Sequence, residues 1–182
     1  MSPGPRAGGP LASALPAALL ALLLAGCATP QRPTGDEVLS GRLSIRIDGP
    51  AVRSVTADFD LSGSAREGEL LLSGPLGTTA ARARWSPGQA VLITGDGQSS
   101  HPSLDALAEQ ALGQVVPIGA LFDWLRGRPW PAAPASPRSD GGVGFEQLGW
   151  LVGLAQLAEG SIEARRSTPP VVTLRVRLTR PD

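Results

Sequence analysis

The sequence predicts a mainly β, α+β fold: a curved antiparallel sheet forming an incomplete β-barrel, closed by a lid of two short helices. Three observations predict it. From Leu39 onward, apolar and polar residues alternate with period two in one segment after another. Clusters of Gly, Pro, Ser and charged residues separate these segments at short intervals. In the middle of the chain the apolar spacing changes from strand-like to helical.

Over 42–48, Leu43, Ile45 and Ile47 alternate with Arg42, Ser44, Arg46 and Asp48, giving one apolar and one wet face. Gly49-Pro50 turns the chain. Val55, Ala57, Phe59 and Leu61 then alternate with Ser54, Thr56, Asp58 and Asp60 in a second strand, whose two acids read as its solvated side. Residues 62–68 are a polar turn, and Glu69–Ser73 is a short strand with Leu70, Leu71 and Leu72 in a row. Gly74-Pro75-Leu76-Gly77 is a loop whose Leu76 is expected at an exposed tip. Residues 78–85 place Arg82 and Arg84 on one face and Ala81, Ala83 and Trp85 on the other. Ser86-Pro87-Gly88 turns into a strand over Ala90–Thr94, which Gly95-Asp96-Gly97 closes.

Leu104, Leu107, Ala108, Ala111 and Leu112 sit at helical spacing, with Asp105 near the positive end of the dipole and Gly113 as a stop. A second helix fits 118–126, with Leu121, Trp124 and Leu125 on one side, ended by Gly127 and Pro129. Residues 129–144 read as a long loop. Strands resume at about 145–154 and 161–166, and the last alternates Val172, Leu174, Val176 and Leu178 with Thr173, Arg175, Arg177 and Thr179. The sum is at least seven strands and two helices. Helices this short cannot pack alone, so they should cover the concave side of the sheet. Periodicity leaves open whether the enclosed apolar interior is solid core or pocket, for Leu43, Ile45, Ile47, Phe59, Leu121, Trp124, Leu125, Val172, Leu174 and Val176, and equally for Trp150.

The first 26 residues have a different character. One cation, Arg6, precedes a run of Leu and Ala over 11–25, and Leu24-Ala25-Gly26 leads to Cys27. This is an export signal, too short to span a bilayer, which takes about 20 apolar residues. Its ending resembles the bacterial lipobox. There the cysteine thiolate, the side chain nucleophilic enough to form the thioether, takes a diacylglycerol, and the new N-terminus is palmitoylated. Cys27 is the only cysteine, and an unpaired thiol in an exported chain needs a use. Residues 27–38, with Pro30, Pro33 and Gly35, read as the lipidated N-terminus and a flexible tether, leaving 39–182 as a single domain. Ala28 follows the cysteine, which fits sorting to the outer rather than the inner membrane.

Composition narrows the functions. Sixteen arginines face sixteen acids, and loss of Arg6 with the signal leaves a net charge of −1. No basic excess points to nucleic acid. Lys, Asn and Tyr are absent. The single histidine, His101, rules out sites needing two and reads as a loop residue. Ser99, Ser100 and His101 are neighbours in sequence, which does not build a triad, and no Gly-x-Ser-x-Gly elbow surrounds any serine. The Gly-rich pieces at 95–97 and 141–144 lack the helix and the Lys of a phosphate loop.

Four pieces in register resemble the LolB family of outer-membrane lipoprotein receptors. They are Leu70-Leu71-Leu72-Ser73-Gly74-Pro75-Leu76-Gly77; Pro117-Ile118 leading to Leu121, Trp124, Leu125 and Gly127; Phe145-Glu146-Gln147 with Gly149-Trp150; and Leu174-Arg175-Val176-Arg177-Leu178. The resemblance covers roughly 39–180. The lack of Tyr departs from relatives that carry several aromatics on their strands. The resemblance implies a monomeric protein held on the periplasmic face of the outer membrane by its own lipid. Such a protein accepts the acyl chains of client lipoproteins from a LolA-type periplasmic carrier, acting as a transport chaperone with no cofactor and no metal. It implies that Leu76 belongs to a membrane-insertion loop and that the ten interior residues above line an acyl-chain cavity. A lipid-anchored structural or envelope-binding lipoprotein with a solid interior is the alternative. A soluble carrier of similar fold is disfavoured by the lipobox, and a hydrolase by the missing constellation.

Overall fold

The computed structural model describes Met1, Gly4 and residues 38–179. The rest of the expected signal segment, Cys27 and the expected tether up to residue 37 lie outside the described residues. Six strands come first: β1 (Leu39–Asp48), β2 (Arg53–Gly63), β3 (Gly68–Ser73), β4 (Thr79–Ser86), β5 (Gln89–Thr94) and β6 (Gly97–His101). Two helices follow, α1 (Leu104–Leu112) and α2 (Ile118–Trp124). Five more strands complete the domain: β7 (Ala135–Pro137), β8 (Gly144–Gln147), β9 (Trp150–Gly153), β10 (Ser161–Arg166) and β11 (Val171–Leu178).

All described strands join one open antiparallel sheet in the order β6-β5-β4-β3-β2-β1-β11-β10-β9-β8-β7. The first and last strands therefore meet in its middle, with Leu43 opposite Val176, Ile45 opposite Leu174 and Ile47 opposite Val172. Close approach of β1 and β11 requires Gly41, because a Cβ there would run into the Arg177 carbonyl. The alternation holds through the sheet. Leu43, Ile45 and Ile47 are buried while Arg42 and Arg46 are exposed, and Val172, Leu174 and Val176 are buried while Arg175 and Arg177 are exposed. The inward row forms one cluster with the buried faces of both helices.

Hairpin connectivity sorts the turns onto two rims. Residues 49–52, 74–78, 95–96, 148–149 and 167–170 lie on the first rim; residues 64–67, 87–88, 138–143 and 154–160 lie on the second. Val38 enters β1 at the second rim.

Helix α1 starts where Ser103 Oγ accepts from the Ala106 N–H at 3.1 Å and ends where left-handed Gly113 donates to Glu109 O at 2.7 Å. It buries Leu104, Leu107 and Ala108. Helix α2 is almost apolar throughout and buries Ile118, Ala120, Leu121, Phe122 and Trp124.

Four details differ from the sequence expectation. His101 is not a loop residue: it ends β6, opposite Ala90, and is 8% exposed. Gly97–His101 escapes a periodicity search because an edge strand of Gly, Gln, Ser and His carries no apolar row. The loop over 129–144 contains the three-residue edge strand β7, which pairs through its backbone with β8. The stretch 145–154 is a hairpin, β8 and β9, turning at Leu148-Gly149, both at positive φ. Finally, α2 ends at Trp124 rather than 126, because Arg126 and Gly127 close the turn onto Asp123 and Trp124.

Candidate functional site

The candidate site is the apolar interior between sheet and helices. Its floor is the centre of the sheet: Leu43, Ile45 and Ile47 of β1, Phe59 of β2 and Val172, Leu174 and Val176 of β11, each at most 9% exposed. Its cover is α2 with its C-cap residue, supplying Leu121, Trp124 and Leu125. All ten sequence-predicted interior residues thus fall in one buried cluster and face one another with the lid closed.

Aromatic contacts fix the cover. Trp85 of β4 meets Phe122 edge-on at 6.0 Å between centroids. Trp124 packs against Phe145 at 6.3 Å and Trp150 at 6.2 Å, so α2 spans from β4 on one side to β8 and β9 on the other.

The polar centre of the interior is Gln147, which sequence reasoning did not single out. Its side chain is 2% exposed in the residue as a whole and makes four hydrogen bonds. Oε1 accepts from Trp124 Nε1 at 2.7 Å and from the Trp130 N–H at 2.9 Å. Nε2 donates to the carbonyls of Trp130 and Ala133, both at 2.8 Å. One amide thereby ties α2 and the 130–133 segment to the sheet. The available signal was parity: Gln147 follows Phe145 by two in a short strand and so must face inward, where an amide needs partners.

The helix connection is tied down separately. Gly113 lies against the Arg53 guanidinium at the start of β2. From the end of β10, Arg166 donates to Gln114 Oε1 and to Val115 O, and its guanidinium stands 5.8 Å from the Trp150 ring centre. Arg166 Nε is buried with no hydrogen-bond partner among the described residues. A recess of about 320 Å³ opens here, lined by Val115, Pro117, Trp130, Leu148, Trp150 and Arg166 among others.

Leu76 is far from this core. At the tip of the β3–β4 turn it is 91% exposed, the most of any described large apolar residue other than Met1. The turn is rigid: Gly77 N–H donates to Gly74 O and Gly74 N–H to Thr78 O, each at 2.9 Å, with Gly77 at φ 72. Pro75 at the second position presets φ, so the leucine is held outward rather than left floppy.

The outer face carries ion pairs rather than a catalytic constellation. Arg42 and Asp58 share two hydrogen bonds across β1 and β2, which hold the Asp58 carboxyl below its ordinary range. The Arg138 guanidinium, with the Gly142 N–H, holds Asp140 well below that range. His101 Nε2 lies 2.9 Å from Ser99 Oγ, its sole side-chain partner among the described residues; both point to one face of the edge strand with no carboxylate to complete a relay.

The family model described as Outer membrane lipoprotein LolB matches residues 38–180. The chain is 37% identical over 170 residues to the Outer-membrane lipoprotein LolB of Bordetella petrii, covering 84% of each chain. It is 40% identical over 155 residues to that of Bordetella pertussis, covering 76% of this chain and 75% of the relative. For the Chromobacterium violaceum protein of the same name the figures are 32% over 143 residues, 73% and 77%. With the open half-barrel and its two-helix cover, these matches place the chain in the LolB family of outer-membrane lipoproteins.

Proposed function

We propose that this protein accepts acylated lipoproteins from a LolA-type periplasmic carrier and inserts them into the outer membrane. The observation that carries the reading is the composition of the interface between sheet and lid. Floor and cover meet through aliphatic and aromatic side chains, with Gln147 as the polar tie. Acyl chains can replace the lid side chains against the floor in an apolar-for-apolar exchange. The cargo needs such shelter. At ~0.8 kcal/mol per methylene, one sixteen-carbon chain costs on the order of 12 kcal/mol to leave in water.

In this reading the segment 1–26 is removed and Cys27 carries the S-diacylglycerol and N-palmitoyl groups. Residues 27–38 tether the domain, and Leu76 enters the membrane when cargo is released. The ten interior residues become the acyl-chain cavity when the helices lift. Charge complementarity plays a small part, since the wet strand faces bear arginines already paired with acids, as in Arg42–Asp58, Arg84–Glu69 and Arg175–Glu163.

The close packing of the interior favours a second reading, a structural lipoprotein with a solid core. One experiment separates them. The protein is offered a loaded carrier whose cargo bears a photoreactive acyl chain. A receptor strips the carrier and crosslinks to residues such as Leu43 or Leu174; a solid-core protein leaves the cargo where it was.

A further inference from the structure

The exposed apolar side chains are not spread evenly over the domain. Five of the seven in residues 38–179 belong to the first rim: Val52, Leu76 and Leu148 lie in its turns, Val55 is the third residue of β2, and Val115 is in the helix connection bound to Arg166, while Val38 and Val143 lie on the second. The turns there are almost without charge. Gly49-Pro50-Ala51-Val52, Gly74-Pro75-Leu76-Gly77-Thr78, Leu148-Gly149 and Ser167-Thr168-Pro169-Pro170 carry none, and Asp96 is the exception in the fifth. The second-rim turns carry Arg66, Glu67, Arg138, Asp140 and Glu159. Neighbouring turns of the first rim lie side by side, since a Cβ on Gly49 would come within 3.8 Å of Pro170 Cβ.

Leu148 is the most informative of these. It sits at φ 54, followed by Gly149 at φ 76, in a two-residue hairpin turn that suits Asn, Asp or Gly at the first position. A leucine there accepts backbone strain and is still 46% exposed. Its covered half lines the recess beside Trp130 and Trp150, but the turn chemistry does not call for the apolar surface that stays exposed.

We propose that the first rim is a membrane-docking surface, on which the domain stands end-on with Val52, Leu76 and Leu148 reaching into the lipid leaflet. The proposal extends the reading of Leu76 from one loop to three turns. Its occupant is lipid because the turns offer apolar tips and bear no cation, the strand-end arginines Arg53, Arg165 and Arg166 flanking the turns rather than forming their tips, so the attraction is chiefly to the acyl region. The helix connection opens on the same rim, so chains leaving the interior beside Val115 would pass directly into the leaflet. Covalent geometry permits the pose. Val38 leaves from the second rim, about 31 Å up β1 at ~3.4 Å per residue. The eleven steps from Cys27 to Val38 span at most about 36–40 Å. That length covers the distance from the second rim to a membrane at the first.

The test uses the mature lipidated chain in phosphatidylethanolamine–phosphatidylglycerol vesicles. With Cys27 acylated no other thiol exists, so Val52→Cys, Leu76→Cys, Leu148→Cys and, on the second rim, Arg66→Cys can each carry one environment-sensitive dye. The expected result is a blue-shifted emission, quenched by acyl-chain-borne quenchers, at 52, 76 and 148 but not at 66, and unchanged by high salt. Shielding at 76 alone overturns the three-turn footing, and so does equal shielding at 66. Shielding of 52 and 148 only when a carrier protein is added assigns the rim to that protein instead. Cargo transfer is scored separately: a chain that docks on three turns yet transfers nothing refutes the receptor reading and leaves this one standing.

Discussion

Gln147→Ala tests whether one amide holds the lid. The substitution removes four hydrogen bonds at once: those from Trp124 Nε1 and the Trp130 N–H, and those to the Trp130 and Ala133 carbonyls. The groups left behind do not lose equally. Trp124 is 1% exposed, so its indole N–H keeps no partner and water cannot reach it. Trp130 and Ala133 are half-buried, and water can replace the amide there. An orphaned buried donor costs roughly 1–3 kcal/mol and each partly solvated group less, so the expected loss is about 3–5 kcal/mol including the space vacated. At ~2–4 °C per kcal/mol for a domain of this size, Tm should fall by roughly 10 °C. Trp124→Phe is the control. It keeps one ring against Phe145 and Trp150 and leaves Oε1 its bond from Trp130, so despite the small cavity it leaves it should cost less than Gln147→Ala. Urea titration of the unlipidated mature chain, followed by tryptophan fluorescence and circular dichroism, measures both. A Gln147→Ala protein within about 1 kcal/mol of its parent would show that packing alone secures α2.

Other perturbations separate the remaining parts. Leu76→Glu should leave acyl-chain binding at the parental level while cutting release into vesicles by on the order of tenfold or more, because a charge in the bilayer costs ~2.5–3.5 kcal/mol; parental release would remove the loop from the mechanism. Cys27→Ala behind an ordinary signal peptide should retain part of the transfer activity in vitro but lose membrane retention, as read by fractionation. Acid stability should follow the outer ion pairs. Asp58, Asp140 and Glu146 all titrate below their ordinary values of 3.8, 3.8 and 4.5, so the stability they add is complete above that range and drains as pH falls through it. Glu146→Gln, which cannot present a carboxylate to the Ser139 N–H, should therefore weaken the pH dependence of urea midpoints below about pH 4.5.

What the sequence revealed followed from where burial is one-sided. β1, β2 and β11 have one wet and one dry face, so their alternation names the inward residues, and all seven proposed there as interior are buried, although Val55, on the same row at the start of β2, is exposed. Helix α1 was equally readable because apolar spacing and a terminal Gly113 agree. The edges were not. β6 and β7 pair through backbone alone and their side chains bear no pattern, so they read as loop. For the same reason His101 was misplaced, since its burial depends on the strand it ends and not on its neighbours in sequence. Gln147 lies on a strand whose inward parity is legible, but its role is not. Its significance depends on Trp124, Trp130 and Ala133, none of which is near it in sequence. Leu76 could be placed because Pro and Gly dictate a turn locally. The shared rim of Val52, Leu76 and Leu148 depends on sheet order and emerges only once β1 is seen beside β11.

The two helices of the lid are held by different forces, and on the proposed receptor reading this predicts an order for its opening. Helix α1 rests on β5, β6 and α2 through Leu104, Leu107 and Ala108, contacts that an entering acyl chain can reproduce. Helix α2 adds the Gln147 amide and the aromatic contacts of Trp124, which a hydrocarbon chain cannot replace. Lifting α1 therefore exchanges like for like, whereas lifting α2 strands a buried indole N–H at a cost of roughly 1–3 kcal/mol before any cargo is bound. Cargo should thus enter beneath α1, with the Gly113–Val116 connection bending between the anchors at Arg53 and Arg166. Hydrogen exchange of the cargo-free protein reads the order directly: the amides of α1 should exchange before those of α2, and Gln147→Ala should bring the two together. Equal protection of both helices in the parent protein would mean that the lid moves as one body and that Gln147 does not divide it.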